Sequence, residues 1–265
     1  MLNVIRHEAT GPNPQGVPPL LIVHGLFGSG RNWGVIARRL ASDRLVLTPD
    51  MRNHGQSFWS AQHGYPDLAG DLVALIEAEV EAKGSGPVDV VGHSMGGKAA
   101  MVLALTRPDL VRRLVVADIA PVTYGHSQLG NIAAMRAVDL SRVEKRSDAV
   151  AQLATRVADP TLQAFFTQSL DVTGRRWRLH LDTLEREMPK ILSFPELSGQ
   201  FAAPTLFLTG GRSDYVQAAH RPRIRALFPK ARFARLPNAG HWLHAEAPRD
   251  FEATVRAFLA MSTGE

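Results

Sequence analysis

The stretch from Pro87 to Leu105 constrains the fold more than any other part of the chain. Val88, Val90 and Val91 form an apolar run that meets Gly92-His93-Ser94-Met95-Gly96, and a small-residue helical pattern follows at once. The reading is a strand, a sharp turn and a helix, with Ser94 at the apex. A serine backbone on such a turn is strained, so its neighbours must be small, and Gly92 and Gly96 meet that need. The hydroxyl would then stand at the carboxyl end of a sheet, with the next peptide N–H aimed at the same spot. The pentapeptide alone also fits a glycine-rich turn carrying a structural serine. Its place between a strand and a helix is what makes it specific.

The rest of the chain repeats this alternation. Leu20–Gly25, Arg44–Asp50, Leu110–Ile119, Pro204–Gly210 and Arg232–Leu236 read as strands. Helices are expected over 66–82, where Leu68, Leu72, Leu75 and Ile76 recur at helical spacing, and over 95–106, 218–228 and 248–261. Gly84 to Pro87 breaks the first of these, and Pro108 ends the second. Strands alternating with helices imply βαβ units and a mostly parallel twisted sheet flanked by helices, an α/β architecture. Between Pro121 and Ala203 the alternation stops and the chain reads as largely helical. Ser147 is expected to cap a helix over 149–157, and Pro160 to open another. Trp177, Leu179 and Leu181 alternate like a short strand, and Leu184 to Leu192 returns to helical period. The expected division is a core of residues 1–121 and 203–265, with residues 122–202 inserted as a helical cap.

Composition sets the outer bounds. The 265 residues, 45% of them hydrophobic, suffice for one sizeable α/β core. There are no cysteines, which excludes a disulfide frame and thiol chemistry and fits a reducing compartment. The first residues lack the apolar core of a signal peptide, and Leu20–Val23 is too short to span a membrane. The expectation is a soluble, cytoplasmic protein with no membrane partner. The net charge of +5 comes from scattered basic residues without aromatic interleaving, so no nucleic-acid partner is expected. Nothing in the sequence sets the oligomeric state.

A serine hydroxyl becomes a nucleophile only when a base takes its proton, and that base needs an acid to fix its tautomer. In this architecture the order along the chain is serine, acid, histidine. His241, on the turn-rich loop after the last strand, is the expected base. His244 is its rival, better read as a structural histidine bonded to Glu246 or to backbone. Two aspartates lie past carboxyl ends of strands, Asp118 and Asp214, and either suits the acid. The oxyanion of an acyl transfer needs two backbone donors. Met95 N–H, just after the serine, is one. The second should come from the loop His24-Gly25-Leu26-Phe27-Gly28-Ser29, with Leu26 favoured. Phe27, Trp59, Phe165, Phe166, Trp177 and Trp242 are candidates for lining an acyl pocket, with Phe27 and Trp242 nearest the site. Other histidines need no special role. Ten Arg and Lys residues between 136 and 190 either hold anionic groups such as CoA phosphates or form a solvated surface, the latter being favoured.

These residues carry a resemblance over essentially the whole length. The chain is similar to the α/β-hydrolase superfamily and, more narrowly, resembles small bacterial acyl esterases related to abhydrolase domain-containing protein eleven. The carrying stretches are His24 to Ser29, Asp50 to Ser57, Gly92 to Lys98, Val116 to Pro121, Gly210 to Tyr215 and Gly240 to Glu246. The resemblance implies that Asp118 is the acid and that Ser213 assists the histidine. Asp214, directly after that serine, departs from the subgroup pattern and keeps the second acid open. It further implies cleavage of short- to medium-chain acyl esters, including activated aryl esters, and possible use of acyl-CoA thioesters. No metal or organic cofactor is implied. The same fold also hosts carbon–carbon bond hydrolases, lyases, cofactor-free haloperoxidases and silent ligand receptors, which are the alternatives. Serine at position 94 argues against epoxide and halide chemistry, which uses an aspartate nucleophile.

Overall fold

The computed structural model describes residues 1–11, 17–80 and 86–261. Its frame is a seven-stranded sheet. The strands are β1 (Val4–His7), β2 (Leu20–Val23), β3 (Val46–Pro49), β4 (Val88–His93), β5 (Val111–Ala117), β8 (Thr205–Gly210) and β9 (Ala231–Leu236), in the spatial order β1-β3-β2-β4-β5-β8-β9. Only β1 runs antiparallel, pairing Val4 with Pro49 through His7 with Val46. All other neighbours are parallel.

Parallel strands covered on both faces must be apolar throughout, and β2, β3 and β4 are buried at every position. Alternate residues then serve opposite faces. Leu20 and Ile22 pack with Val91, Val115 and Leu208 against α1 (Gly34–Leu40) and α11 (Pro248–Ala260). Leu21 and Val23 pack with Val90 and Leu114 against α2 (Tyr65–Glu79) and α3 (Met95–Thr106). Ile224 and Leu227 of α9 (Arg221–Leu227) join this second face.

Residues 122–202 add no strand to this sheet. They form α4 (Leu129–Arg136), α5 (Arg146–Leu153), α6 (Pro160–Gln168), the hairpin β6 (Leu170–Asp171) and β7 (Arg176–Trp177), α7 (Leu181–Arg186) and α8 (Met188–Leu192). Their apolar residues, among them Ile132, Met135, Phe166 and Leu184, belong to the same continuous cluster as the α2 and α3 face.

Several local expectations are corrected. β1 was not anticipated, because Val4–His7 holds only two strong strand formers beside charged neighbours. The α2 helix ends at Glu79 rather than 82, and residues 81–85, with the expected break at Gly84, lie outside the described residues. Ser147 does not cap α5. Lys145 is the N-cap, and the Asp148 carboxylate accepts the N–H groups of Glu144 and Lys145, each at 3.0 Å. The expected strand through Trp177, Leu179 and Leu181 reaches only Trp177. Leu179 makes an isolated bridge with His54, and Leu181 opens α7. The helical period of 184–192 is split in two at Glu187, ahead of Pro189. The helix expected over 218–228 begins as a 3-10 turn, Ala218–His220, before α9.

One buried aromatic ties the α1 and α11 layer to α10 (Leu243–Glu246), the short helix that follows β9. Trp33 stacks on His244 with ring centroids 4.1 Å apart and lies 5.8 Å from Phe251. Trp33→Ala should therefore cost about 3–5 kcal/mol of unfolding free energy in urea titration.

Candidate active site

The site is assembled at the carboxyl ends of β4, β5, β8 and β9, where the loops emerge on one edge. Ser94 leaves β4 with φ 53° and ψ −120°, a strained backbone for a residue with a side chain. The surrounding packing enforces it. A Cβ on Gly92 would come within 2.5 Å of Gly96 O, and one on Gly96 within 2.4 Å of Val23 O and His24 O. Ser94 N–H donates to Ala117 O at 3.1 Å, and Ser94 O accepts from Lys98 N–H at 3.0 Å.

Asp118 follows β5, also at positive φ (52°), with its residue fully buried. Its carboxylate collects three donors from two segments, the end of β8 and the loop after β9. Oδ1 accepts Gly210 N–H at 3.0 Å, from the end of β8. Oδ2 faces His241 Nδ1 at 2.8 Å and also accepts Ser213 Oγ–H. A carboxylate at Nδ1 holds the proton there and leaves Nε2 as the free base. The Tyr215 ring stacks on His241 with centroids 4.0 Å apart, and His93 Nε2–H donates to His241 O at 2.8 Å. Asp214, by contrast, is exposed, and among the described residues it makes no bond to His241. It borders a separate cavity with Ser213, Tyr215 and His241.

Ser94 and His241 open into one cavity of about 250 Å³. Leu26, Phe27, Met95 and Trp242 line it, as do Phe165 and Phe166. Two expected aromatics do not. Trp59 is 54% exposed and packs its ring edge on His180, while Trp177 is buried in the core with its indole N–H on Met135 O. Among the described residues neither Leu26 N–H nor Met95 N–H has a protein partner, as a pair of waiting donors requires. Phe27, at φ 63°, is pinned on both sides. Its N–H donates to His54 Nε2 at 3.1 Å, and its carbonyl accepts Ser169 Oγ–H at 2.9 Å.

Sequence reasoning gave the remaining histidines no role, yet His24, His54, His63 and His93 brace the site. His24 Nε2 accepts Met51 N–H at 2.9 Å, so its Nδ1 donates to Gly25 O at 2.8 Å. His63 reaches Asn53 Nδ2 at 3.2 Å and Met95 Sδ at 3.4 Å. Burial drives five of them neutral: His24, His54 and His93 titrate below their ordinary value, and His63 and His244 fall to about 3. His244 is not bonded to Glu246. Its Nδ1 is without a partner among the described residues and its ring stacks on Trp33, while Glu246 accepts Gly240 N–H and an Arg212 N–H. The motifs His24-Gly25 and His54-Gly55 were visible in the sequence as part of the resemblance, but nothing in their spacing announced a backbone brace.

Of the ten basic residues between 136 and 190, none borders the 250 Å³ cavity. Arg136 pairs with Asp182 and Glu185, Arg178 with Asp171, and Lys190 with Glu187. Among the described residues no group of three His, Asp or Glu is arranged to hold a metal ion. No helix of the described residues is long and apolar enough to cross a membrane.

A strained serine on a strand-to-helix turn and a histidine bonded to a buried aspartate thus line one cavity at the edge of a mostly parallel α/β sheet. The family model for the α/β hydrolase fold matches residues 18–248, and the chain belongs to that family. Among relatives, sn-1-specific diacylglycerol lipase ABHD11 of Mus musculus is 44% identical, covering 92% of this chain and 81% of that protein. Esterase YbfF of Escherichia coli is 37% identical, covering 94% and 96%. A solved marine microorganism esterase is 34% identical with a TM-score of 0.89, covering 97% and 98%.

The neutral histidines make stability depend on pH. Each has a folded pKa below its unfolded value, so the unfolded chain binds the extra proton and stability is lost as pH falls below about 6.5. A single such group costs about 1.4 kcal/mol per pH unit in that range. His244→Phe keeps the ring stacked on Trp33, and should flatten the decline between pH 6.5 and 5 by about one proton relative to wild type, read from urea unfolding at each pH.

Proposed function

We propose that the protein hydrolyses short- to medium-chain acyl esters through an acyl-enzyme on Ser94. Ester hydrolysis in general follows from the relatives named as esterases and as a diacylglycerol lipase. The catalytic assignment rests above all on one observation: His241 Nδ1 lies 2.8 Å from the buried Asp118 carboxylate, and His241 shares a cavity with Ser94.

In this reading Ser94 Oγ attacks the ester carbonyl while His241 Nε2 takes its proton. Asp118 holds the tautomer and stabilises the imidazolium that forms. The N–H groups of Leu26 and Met95 receive the oxyanion, each worth about 3 kcal/mol in the transition state. The alcohol leaves with the proton from His241, and water repeats the sequence on the acyl-enzyme. A thioester uses the same acylation step with a thiol as leaving group. Ser213, whose hydroxyl donates to the same carboxylate oxygen as His241, assists by fixing the aspartate rather than by touching substrate.

Residues 122–202 act as a cap over a core of 1–121 and 203–265. The cap supplies Tyr124, Leu162, Phe165 and Phe166 to the cavity wall, and the core supplies Phe27 and Trp242. Aromatic walls around about 250 Å³ suit a short acyl chain better than a long one. The cysteine-free composition supports a reducing, cytoplasmic setting.

Stopped-flow hydrolysis of p-nitrophenyl butyrate tests the reading. Wild type should release a burst of nitrophenol, and Ser94→Ala none. Asp118→Asn should lower kcat about 10⁴-fold, while Asp214→Asn stays within about threefold; the reverse order would move the acid to Asp214. Ser213→Ala removes one hydrogen bond to a charged group and should lower kcat about tenfold, or ~1.4 kcal/mol, with KM little changed.

A further inference from the structure

Helix α3 is buried on all sides from Met95 to Ala104, and one of its residues does not suit that setting. Lys98 is only 1% exposed, in a helix otherwise made of Gly, Ala, Met, Val and Leu at its buried positions. Its Nζ donates to Leu192 O at 2.8 Å and Ser193 O at 2.6 Å, at the end of α8. It also lies 4.7 Å from the ring centroid of Tyr124 and 5.6 Å from that of Tyr65. Among the described residues no carboxylate pairs with it, and two acceptors serve only two of its three N–H groups. Burial alone pulls its pKa down to about 7, the sign of a charge without a counter-charge.

Tying α3 to α8 does not require a charge. The next carbonyl of the same helix end, Ile191 O, is served by the neutral Tyr65 hydroxyl at 2.6 Å. What distinguishes Lys98 is its place in the cavity wall. Lys98, Tyr65, Tyr124 and Leu192 line the same cavity as Ser94. Lys98 stands one turn into the helix that Ser94 caps, and its backbone N–H bonds the Ser94 carbonyl at 3.0 Å. A purely aliphatic acyl chain filling this cavity would seal an uncompensated cation against hydrocarbon. An acyl chain ending in a carboxylate would take the remaining N–H and neutralise the charge.

We propose that Lys98 forms an anion subsite in the wall of the acyl cavity, and that the acyl groups it selects are those of short dicarboxylic half-esters. The inference rests on the acyl-enzyme reading for Ser94 and names the substrate class of that site.

The test compares mono-p-nitrophenyl succinate, glutarate and adipate with p-nitrophenyl butyrate, pentanoate and hexanoate at pH 6.5. Rates measured with Ser94→Ala are subtracted, because half-esters also cleave by internal attack of their own carboxylate. Wild type should favour the best half-ester over the best neutral ester at least tenfold in kcat/KM. Lys98→Met should lower that ratio at least thirtyfold, and Lys98→Arg should keep most of it. A wild type that favours the neutral esters, or a ratio unmoved by Lys98→Met while both rates fall together, overturns the subsite and leaves Lys98 a bolt between helices. Should Lys98→Met fail to fold, inhibition of wild-type butyrate hydrolysis decides. Glutarate inhibiting at least tenfold more tightly than pentanoate supports the subsite, and equal or weaker inhibition overturns it. Absence of wild-type turnover on both substrate classes would instead sink the acyl-enzyme reading on which the subsite depends.

Discussion

The contact between the buried Asp118 carboxylate and His241 Nδ1, at 2.8 Å, joins two positions 123 residues apart. The sheet makes it possible. β5, β8 and β9 are parallel neighbours, so the loops that follow them emerge side by side at one edge. Asp118 follows the first, Gly210 and Ser213 close the second, and His241 lies beyond the third. A buried carboxylate is tolerated only when its oxygens are satisfied, and here the loops after β8 and β9 supply the donors. The aspartate therefore fixes the loops as much as the loops fix the aspartate.

The opposite wall is built on neutrality. His24, His54 and His63 lie close together, with His54 between the other two at ring distances of 5.2 and 5.5 Å. Three imidazoles at that spacing can be buried only uncharged, and in that state each offers one donor and one acceptor. The backbone around the first loop uses them: Met51 N–H, Phe27 N–H and the Gly25 carbonyl each find a ring nitrogen. The backbone on both sides of Leu26 is thus held by bonds to buried rings.

Much of this was legible before coordinates. The strand, turn and helix around Ser94 carry their own steric signature, and the long apolar runs of the parallel strands follow from burial on both faces. His241 could be placed by chain order alone. Which of Asp118 and Asp214 meets His241 could not, because both end strands; the difference is burial, with one residue inside the sheet edge and the other in water. The bracing histidines were missed for a related reason. Their partners are backbone groups, which every residue possesses, so no side-chain pattern betrays them. Local errors at α5, α7 and α8 came from caps and a proline that interrupt apolar periods too short to resolve.

In the proposed reading Asp118, and not Asp214, holds the proton on His241 Nδ1. Proton NMR of ¹⁵N-histidine-labelled protein at low temperature addresses it directly. A ring N–H resonance well downfield of the amide region, coupled to His241 Nδ1, should persist in Asp214→Ala and vanish in Asp118→Ala. Persistence in Asp118→Ala together with loss in Asp214→Ala would contradict the claim.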